Sequence, residues 1–406
     1  MTIPNNNPNT IFTRTTPDDG LLFGTEFSRL YANDNELQNQ VNFLENQFDP
    51  QSQLSNTPNW SSPFTSIAPS AKALDARAKS VIPLKRFAGW MTDFWIMRIS
   101  PADNQWTSVC WSSELNLFVA VANSGISNRV MTSSDGMVWT IRASATDNTW
   151  VSVCWSPQLN LFVAISDSGT GNQVMTSSDG ITWISGTSAT NNSWRSVCWS
   201  SQLNLFVAVA NTGTGDRVMT SSDGITWISR TSAADNSWSS VCWSPQLNLF
   251  VAVANTGTGN RVMTSSNGIN WTSRTSAADN NWTSICWSSQ LNLFVAVASG
   301  SGSNVMTSAD GITWVGRTGA ADNQWTSVCW SPELGIFVAV AYLLISNRVM
   351  TSPDGSNWTL RSGANEMAWQ SVCWSPELGM FVAVAYAGSS NRIMTTGSGL
   401  GKGYLG

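Results

Sequence analysis

Seven cysteines stand at positions 110, 154, 198, 242, 286, 329 and 373, with spacings of 44, 44, 44, 44, 43 and 44. A tryptophan follows each one, at 111, 155, 199, 243, 287, 330 and 374, and another stands before it, at 106, 150, 194, 238, 282, 325 and 369. A chain with such a period is a stack of near-identical units, and the unit decides the fold. One unit runs from Trp150 through Val-Ser-Val-Cys-Trp, a Ser-Pro-Gln-Leu-Asn turn and Leu-Phe-Val-Ala-Ile. Gly, Thr and Asn residues then lead to Val-Met-Thr-Ser-Ser-Asp-Gly-Ile-Thr-Trp183. Four short segments rich in β-branched and aromatic residues, separated by turn residues, read as strands a to d. Strand b, Leu-Phe-Val-Ala, is apolar on both faces, as a strand buried inside a stack of sheets must be. Four antiparallel strands per 44 residues is the period of a propeller blade. The expected fold is all-β: a seven-bladed β-propeller of four-stranded blades.

The tryptophans also predict how the ring closes. Strand d carries Trp139, Trp183, Trp227, Trp271, Trp314 and Trp358, one too few for seven blades. Trp95 lies 44 residues before Trp139, and no strand d follows Ile393-Met-Thr-Thr396. Residues 93–99 are therefore expected to complete the last blade, which removes the free sheet edge between first and last.

Composition excludes several chemistries. The chain has no histidine, so Ser-His and Cys-His nucleophile pairs are impossible and the commonest metal ligand is missing. An odd number of cysteines, one per repeat, makes no disulfide framework, and without CxxC or histidine no metal or cofactor is expected. Buried free thiols are the expected state. Charged residues are 11% and the net charge is −5, which argues against nucleic acid as a partner. No apolar run is long enough for a spanning helix, so no membrane insertion is expected. The first residues lack the basic start and apolar stretch of a secretion signal.

The c–d hairpins carry a family resemblance. Ser133-Ser-Asp135-Gly-Met-Val-Trp139 resembles the Asp-box of sialidase-type propellers. So do the turns with Asp179 and Trp183, Asp223 and Trp227, Asp310 and Trp314, and Asp354 and Trp358, while Asn267 replaces the aspartate before Trp271. These turns are one residue shorter than the family's between the acid and the aromatic. The resemblance implies a structural role: the carboxylate caps the turn and the aromatic packs between blades. Family sialidases use a tyrosine nucleophile, an arginine cluster and an acidic pair. Here only Tyr31, Tyr342, Tyr386 and Tyr404 exist, and the arginines recur at one repeat position. Catalysis needs one asymmetric constellation, so hydrolase activity is not expected.

A ligand is expected, if anywhere, on the face built by b–c and d–a loops. It gathers Asp103, Asn104, Asp147, Asn148, Asp235, Asn236, Asp279, Asn280, Asp322 and Asn323 with Arg129, Arg217, Arg261 and Arg348. Amides, carboxylates and the nearby strand-a tryptophans are what a sugar site uses. The same residues are also the default turn formers. The repeat breaks at Tyr342-Leu-Leu-Ile, an apolar stretch suited to a protein contact.

Residues 1–50 differ in composition. Phe23, Phe27, Leu30, Asp34, Leu37, Val41, Leu44 and Phe48 fall at spacings of 3 and 4, which predicts a short heptad helix for docking or homo-oligomerisation, or one packed on the propeller rim. Residues 51–89, with Pro58, Pro63, Pro69 and Pro83, read as an extended tether, and residues 90–406 as the propeller. An extended, partly helical arm, a tether and a repeat-built β head resemble the layout of a phage or viral appendage protein, such as a tail fibre. That implies a non-enzymatic virion protein assembled in the host cytoplasm. Residues 1–50 would bind other virion proteins, and the head would meet host glycan or another virion protein. A stand-alone multivalent lectin and a sialidase-like hydrolase are the alternatives.

Overall fold

The computed structural model describes residues 95–396 except 301, 343–347, 366 and 389–390. The helix and tether expected before residue 90 lie outside them. Every described element is a β-strand. Blade 1 shows the plan: strand a is Trp106–Ser112, b is Leu117–Ala122, c is Val130–Ser133 and d is Thr140–Arg142. They pair antiparallel in the order a-b-c-d, and blades 2 to 6 repeat this. The last blade joins Ala368–Ser375, Met380–Ala387 and Ile393–Thr396 to the N-terminal strand Trp95–Arg98. Trp95 pairs with Thr396 and Arg98 with Ile393. The chain thus forms a seven-bladed β-propeller closed by its own N-terminal strand.

Side chains confirm that Trp95–Arg98 is the missing strand d. In blade 1, Phe118 of strand b lies between Trp111 at 4.4 Å and Trp139 at 6.0 Å. In the last blade Phe381 lies between Trp374 at 4.6 Å and Trp95 at 6.5 Å. Arg142 donates from Nε to the Thr132 hydroxyl at 3.0 Å, and Arg98 makes the same bond to Thr395 at 3.0 Å. One contact is not reproduced. Trp139 donates its indole N–H to the Gly136 carbonyl in its own turn, but Trp95 Nε1 has no hydrogen-bond partner, because no chain-continuous turn precedes it.

Strand d is shorter than the sequence suggests. The tryptophan expected inside it ends the c–d turn, and only three residues pair in blades 1 to 6. Strand a holds a bulge after its first tryptophan in every blade, which the repeat pattern does not reveal. The a–b turn needs a left-handed residue. Asparagine supplies it in blades 1 to 5, as at Asn160 (φ 47°), and Gly335 and Gly379 supply it in blades 6 and 7.

The core lies between blades. Phe162 and Trp150 of blade 2 pack with Val119, Val121 and Val130 of blade 1, and this cluster recurs around the ring. A ring of hydrogen bonds runs through the same interfaces. Val153 donates its N–H to the Ser108 hydroxyl of the preceding blade at 3.2 Å. The equivalent bonds link 197 to 152, 241 to 196, 285 to 240, 328 to 284, 372 to 327 and, across the closure, 109 to 371. The cysteines are free and half-buried rather than fully buried, each packed on the core of the next blade, as Cys110 is on blade 2.

Removal of residues 1–99 deletes strand d of the last blade and should unfold or severely destabilise the ring, whereas removal of 1–80 should leave the melting temperature nearly unchanged. Trp95→Ala, a large-to-small change in a closed core, should cost about 3–5 kcal/mol in a denaturant titration. Equal melting of the two truncations would refute the closure.

Candidate functional site

The b–c and d–a loops do come together on one face, but their polar groups bind one another. Asn104 donates its amide to the Asn128 carbonyl at 2.7 Å, and Asn148, Asn236 and Asn280 do the same to the carbonyls of 172, 260 and 303. Asp147 accepts from the Ser127 backbone N–H at 2.7 Å, which ties blade 2 to blade 1. Asp235, Asp279 and Asp322 accept from Gly215, Gly259 and Gly302 in the same way. Arg129 donates to the carbonyls of Gly125, Asn123 and Asn148, so it holds its own loop and the next blade. Arg217 and Arg261 repeat its intraloop bonds, and Arg261 also reaches Asn280. Arg392 carries the pattern over the closure, donating to the Asn104 carbonyl at 2.7 Å with Asp103 at 3.9 Å. The Asn323 side chain accepts from the Gln324 N–H, and Arg348 is only 2% exposed.

Asn104, Arg129, Asp147, Asn148 and their counterparts thus form a belt that fastens blade to blade. The tryptophans expected beside them as an aromatic platform, Trp106, Trp150, Trp194, Trp238, Trp282, Trp325 and Trp369, are fully buried, each donating its indole N–H to the carbonyl four residues earlier. Symmetry breaks at several places on this face, among them Gln173 and Asn304, which stand where other blades have arginine, and two side-chain pairs. Arg195 donates to Asp167 at 2.9 Å between blades 3 and 2, both partly exposed. Tyr342 and Tyr386 meet at 5.9 Å between blades 6 and 7. The apolar stretch after Tyr342 lies outside the described residues.

On the opposite face the c–d turns are capped by their acids. Asp135 accepts from the N–H groups of Met137 and Val138 at 2.8 and 2.9 Å, and from the Ser133 hydroxyl. Ser133 in turn accepts from Gly136 N–H at 2.8 Å. Partial burial works to raise these carboxyl pKa values, but the N–H and hydroxyl donors together outweigh it. Asp135, Asp179, Asp223 and Asp310 end below the ordinary value, and Asp354, with the Asn357 side chain as an added donor, falls to about 2. Asn267 makes the same two backbone contacts at 2.9 Å without a charge.

The a–b turns on this face hold a contact that sequence reasoning missed. Trp155 donates its indole N–H to the Glu114 carboxylate of the preceding blade at 2.6 Å. The same bond joins 199 to Gln158, 243 to Gln202, 287 to Gln246, 330 to Gln290, 374 to Glu333 and 111 to Glu377. The signal was present: one repeat position holds only Glu or Gln, about 41 residues before the tryptophan it serves. Among the described residues no group of three metal-ligating side chains occurs. Burial raises the thiol pKa of Cys154 and Cys329 to about 12 and moves the other five well above the ordinary value, so the thiolates that would act as nucleophiles do not form near neutrality.

No protein-family model and no curated protein matches this sequence. Solved structures do match. YCF48 from Cyanidioschyzon merolae superposes with a TM-score of 0.54 at 14% identity, over 74% of this chain and 97% of its own. A catalytically inactive virginiamycin B lyase from Staphylococcus aureus, with quinupristin, gives 0.62 at 7% over 74% and 98%. The β-propeller domain of Cps50 (Swd1) from Myceliophteria thermophila gives 0.54 at 11% over 75% and 100%. At these identities the likeness is one of fold.

Two measurements check this account. The Asp354 carboxyl, near 2 folded and about 3.9 unfolded, adds stability above about pH 4 that is lost as pH falls toward 2. Asp354→Asn should therefore melt like the parent at pH 3 or better, relative to pH 7, because the uncharged acceptor does not titrate. A steeper acid loss in the variant would contradict the capping role. The thiols should react with a maleimide at pH 7.5 at least tenfold more slowly in the native chain than in denaturant, and comparable rates would contradict their burial.

Proposed function

We propose that this chain is a non-enzymatic virion appendage: residues 1–50 anchor it to the particle, and the propeller is a rigid head that displays a binding surface. The observation that carries the reading is the commitment of the recurring Asn, Asp and Arg side chains to inter-blade and loop bonds. What remains is a stiff, sevenfold platform with equivalent blades and, among the described residues, no convergent acid–base set, which suits display better than turnover. The resemblance of the c–d turns to Asp-boxes belongs to this reading as a structural feature, since fold does not carry activity.

Two neighbours support it. A YCF48 structure of the same fold, superposing with a TM-score of 0.55, is bound to D1 peptide, so a propeller of this kind serves as a peptide platform there. The inactive virginiamycin B lyase was made by exchanging one histidine for alanine. This sequence has no histidine and hence no counterpart. With the strand-a tryptophans buried, the partner favoured for the head is another protein, with the half-buried Tyr342 and Tyr386 as aromatic anchors, ahead of a host glycan.

In cells that assemble the particle, the full chain should co-purify with particles, and a chain lacking residues 1–50 should remain in the soluble fraction. Equal incorporation of both forms, or neither form on particles, would reject the anchored-head reading.

A further inference from the structure

Five c–d turns carry an aspartate followed by a glycine, and the turn of blade 4 carries Asn267-Gly268, the single Asn-Gly pair in the chain. Asparagine before glycine is the pair most prone to deamidate. Glycine has no Cβ, so its nitrogen can approach the preceding side-chain amide with little hindrance. Asn267 is exposed, so water can enter and ammonia can leave.

The closed turn engages both groups that would react. Gly268 donates its N–H to the Ser265 hydroxyl at 2.8 Å. Asn267 Oδ1 accepts from the N–H groups of Ile269 and Asn270 at 2.9 Å and from the Ser265 hydroxyl at 3.1 Å. Gly268 has φ 72°, and a Cβ there would lie 2.7 Å from Leu205 and 3.1 Å from Val207 of blade 3. The peptide is thus pinned between its own turn and the preceding blade, and closing a ring on Asn267 Cγ requires the turn to lift.

The reactive pair sits in the described c–d turn that is held least strongly. Asp223, in the neighbouring blade, gathers the same three donors at 2.8, 2.7 and 2.9 Å with a full charge. Hydrogen bonds to a carboxylate are roughly twice as strong as those to a neutral acceptor. Asn267 caps its turn without that charge, so this turn opens more readily than its five counterparts.

We propose that Asn267 is a latent modification site, intact while its turn is closed and deamidated to aspartate when the turn opens. Gly268 N bonds to Asn267 Cγ, the Cγ–Nδ2 bond breaks, and the proton from Gly268 N leaves with Nδ2 as ammonia. The product is a five-membered imide, which water then opens. Cleavage at Cγ gives aspartate, and cleavage at the main-chain carbonyl gives isoaspartate, whose backbone is one carbon longer. Only aspartate rebuilds the turn, because its carboxylate meets the donors that hold Asp179, Asp223 and Asp310. Opening of blade 4 is thereby recorded as a permanent charge. The inference is independent of the virion reading, since it concerns the chemistry of one turn.

The test incubates the native full chain beside a synthetic peptide of residues 262–274 near neutral pH. Peptide mass spectrometry follows the mass gained when the amide becomes an acid. The native chain should convert at least tenfold more slowly than the peptide. Ser265→Ala removes the bonds that hold both reacting groups and should speed conversion severalfold. Ser177→Ala makes the same change in blade 2 and should leave the rate at Asn267 unchanged, which separates opening of this turn from general loosening of the ring. Asn267→Asp, the expected product, should melt at or above the parent temperature. Conversion of the native chain at the peptide's rate would overturn the proposal. So would equal rates in the two serine variants, or a product variant that melts below the parent.

Discussion

Strand b of every blade is apolar on both faces, and no isolated blade can keep it from water. Phe162, Val163, Ala164 and Ile165 are all fully buried, yet the residues that bury them come from blades 1, 2 and 3 together. Every blade must therefore be sandwiched, and an open stack would leave two faces bare. Closure is the constraint on which the other features depend. The serine ring shows it: the Oγ of Ser371 receives the N–H of Val109 only if blade 7 meets blade 1 in the register that the other six interfaces share.

The fold was legible because the features that build it are short-range and repeated. The alternation of strands a to c, the blade count and the strand swap all follow from tryptophan spacing, and Trp95 takes its place beside Phe381 as that spacing requires. Strand d was read too long because Trp139 was counted as a strand residue. Its indole N–H instead closes the turn on Gly136, and pairing starts after it. The bulge after Trp106 left no trace in composition, since Thr107 is an ordinary strand residue.

The candidate site was harder to read, and the reason is chemical. Asn, Asp and Arg bind a sugar hydroxyl and a backbone carbonyl with the same groups, and one sequence does not say which partner is nearer. Asn104 and Arg129 met their own backbone first. The Trp155–Glu114 bond was hidden differently, because it joins residues 41 positions apart in different blades. Position-by-position comparison of the repeats would have exposed it, since a site that admits only Glu and Gln is selecting an acceptor.

Repetition explains where individuality remains. Seven copies of one bonding scheme leave few positions free to differ without cost, and three kinds of departure cluster. Glutamate replaces glutamine in blades 6, 7 and 1; glycine replaces asparagine at 335 and 379; tyrosine replaces the polar residue at 342 and 386. The first two lie on the turn face and the last on the loop face, but all belong to the blades around the entering strand. The chain crosses every interface, the closure included, where Arg98 leads to Trp106; its one break in continuity lies inside the last blade, between Thr396 and Trp95. Blade 1 rests its glycine on Met380, and Ile336, at the equivalent place in blade 6, is 4% exposed. Departures from the repeat in these blades are therefore best read first as the chemistry of closure.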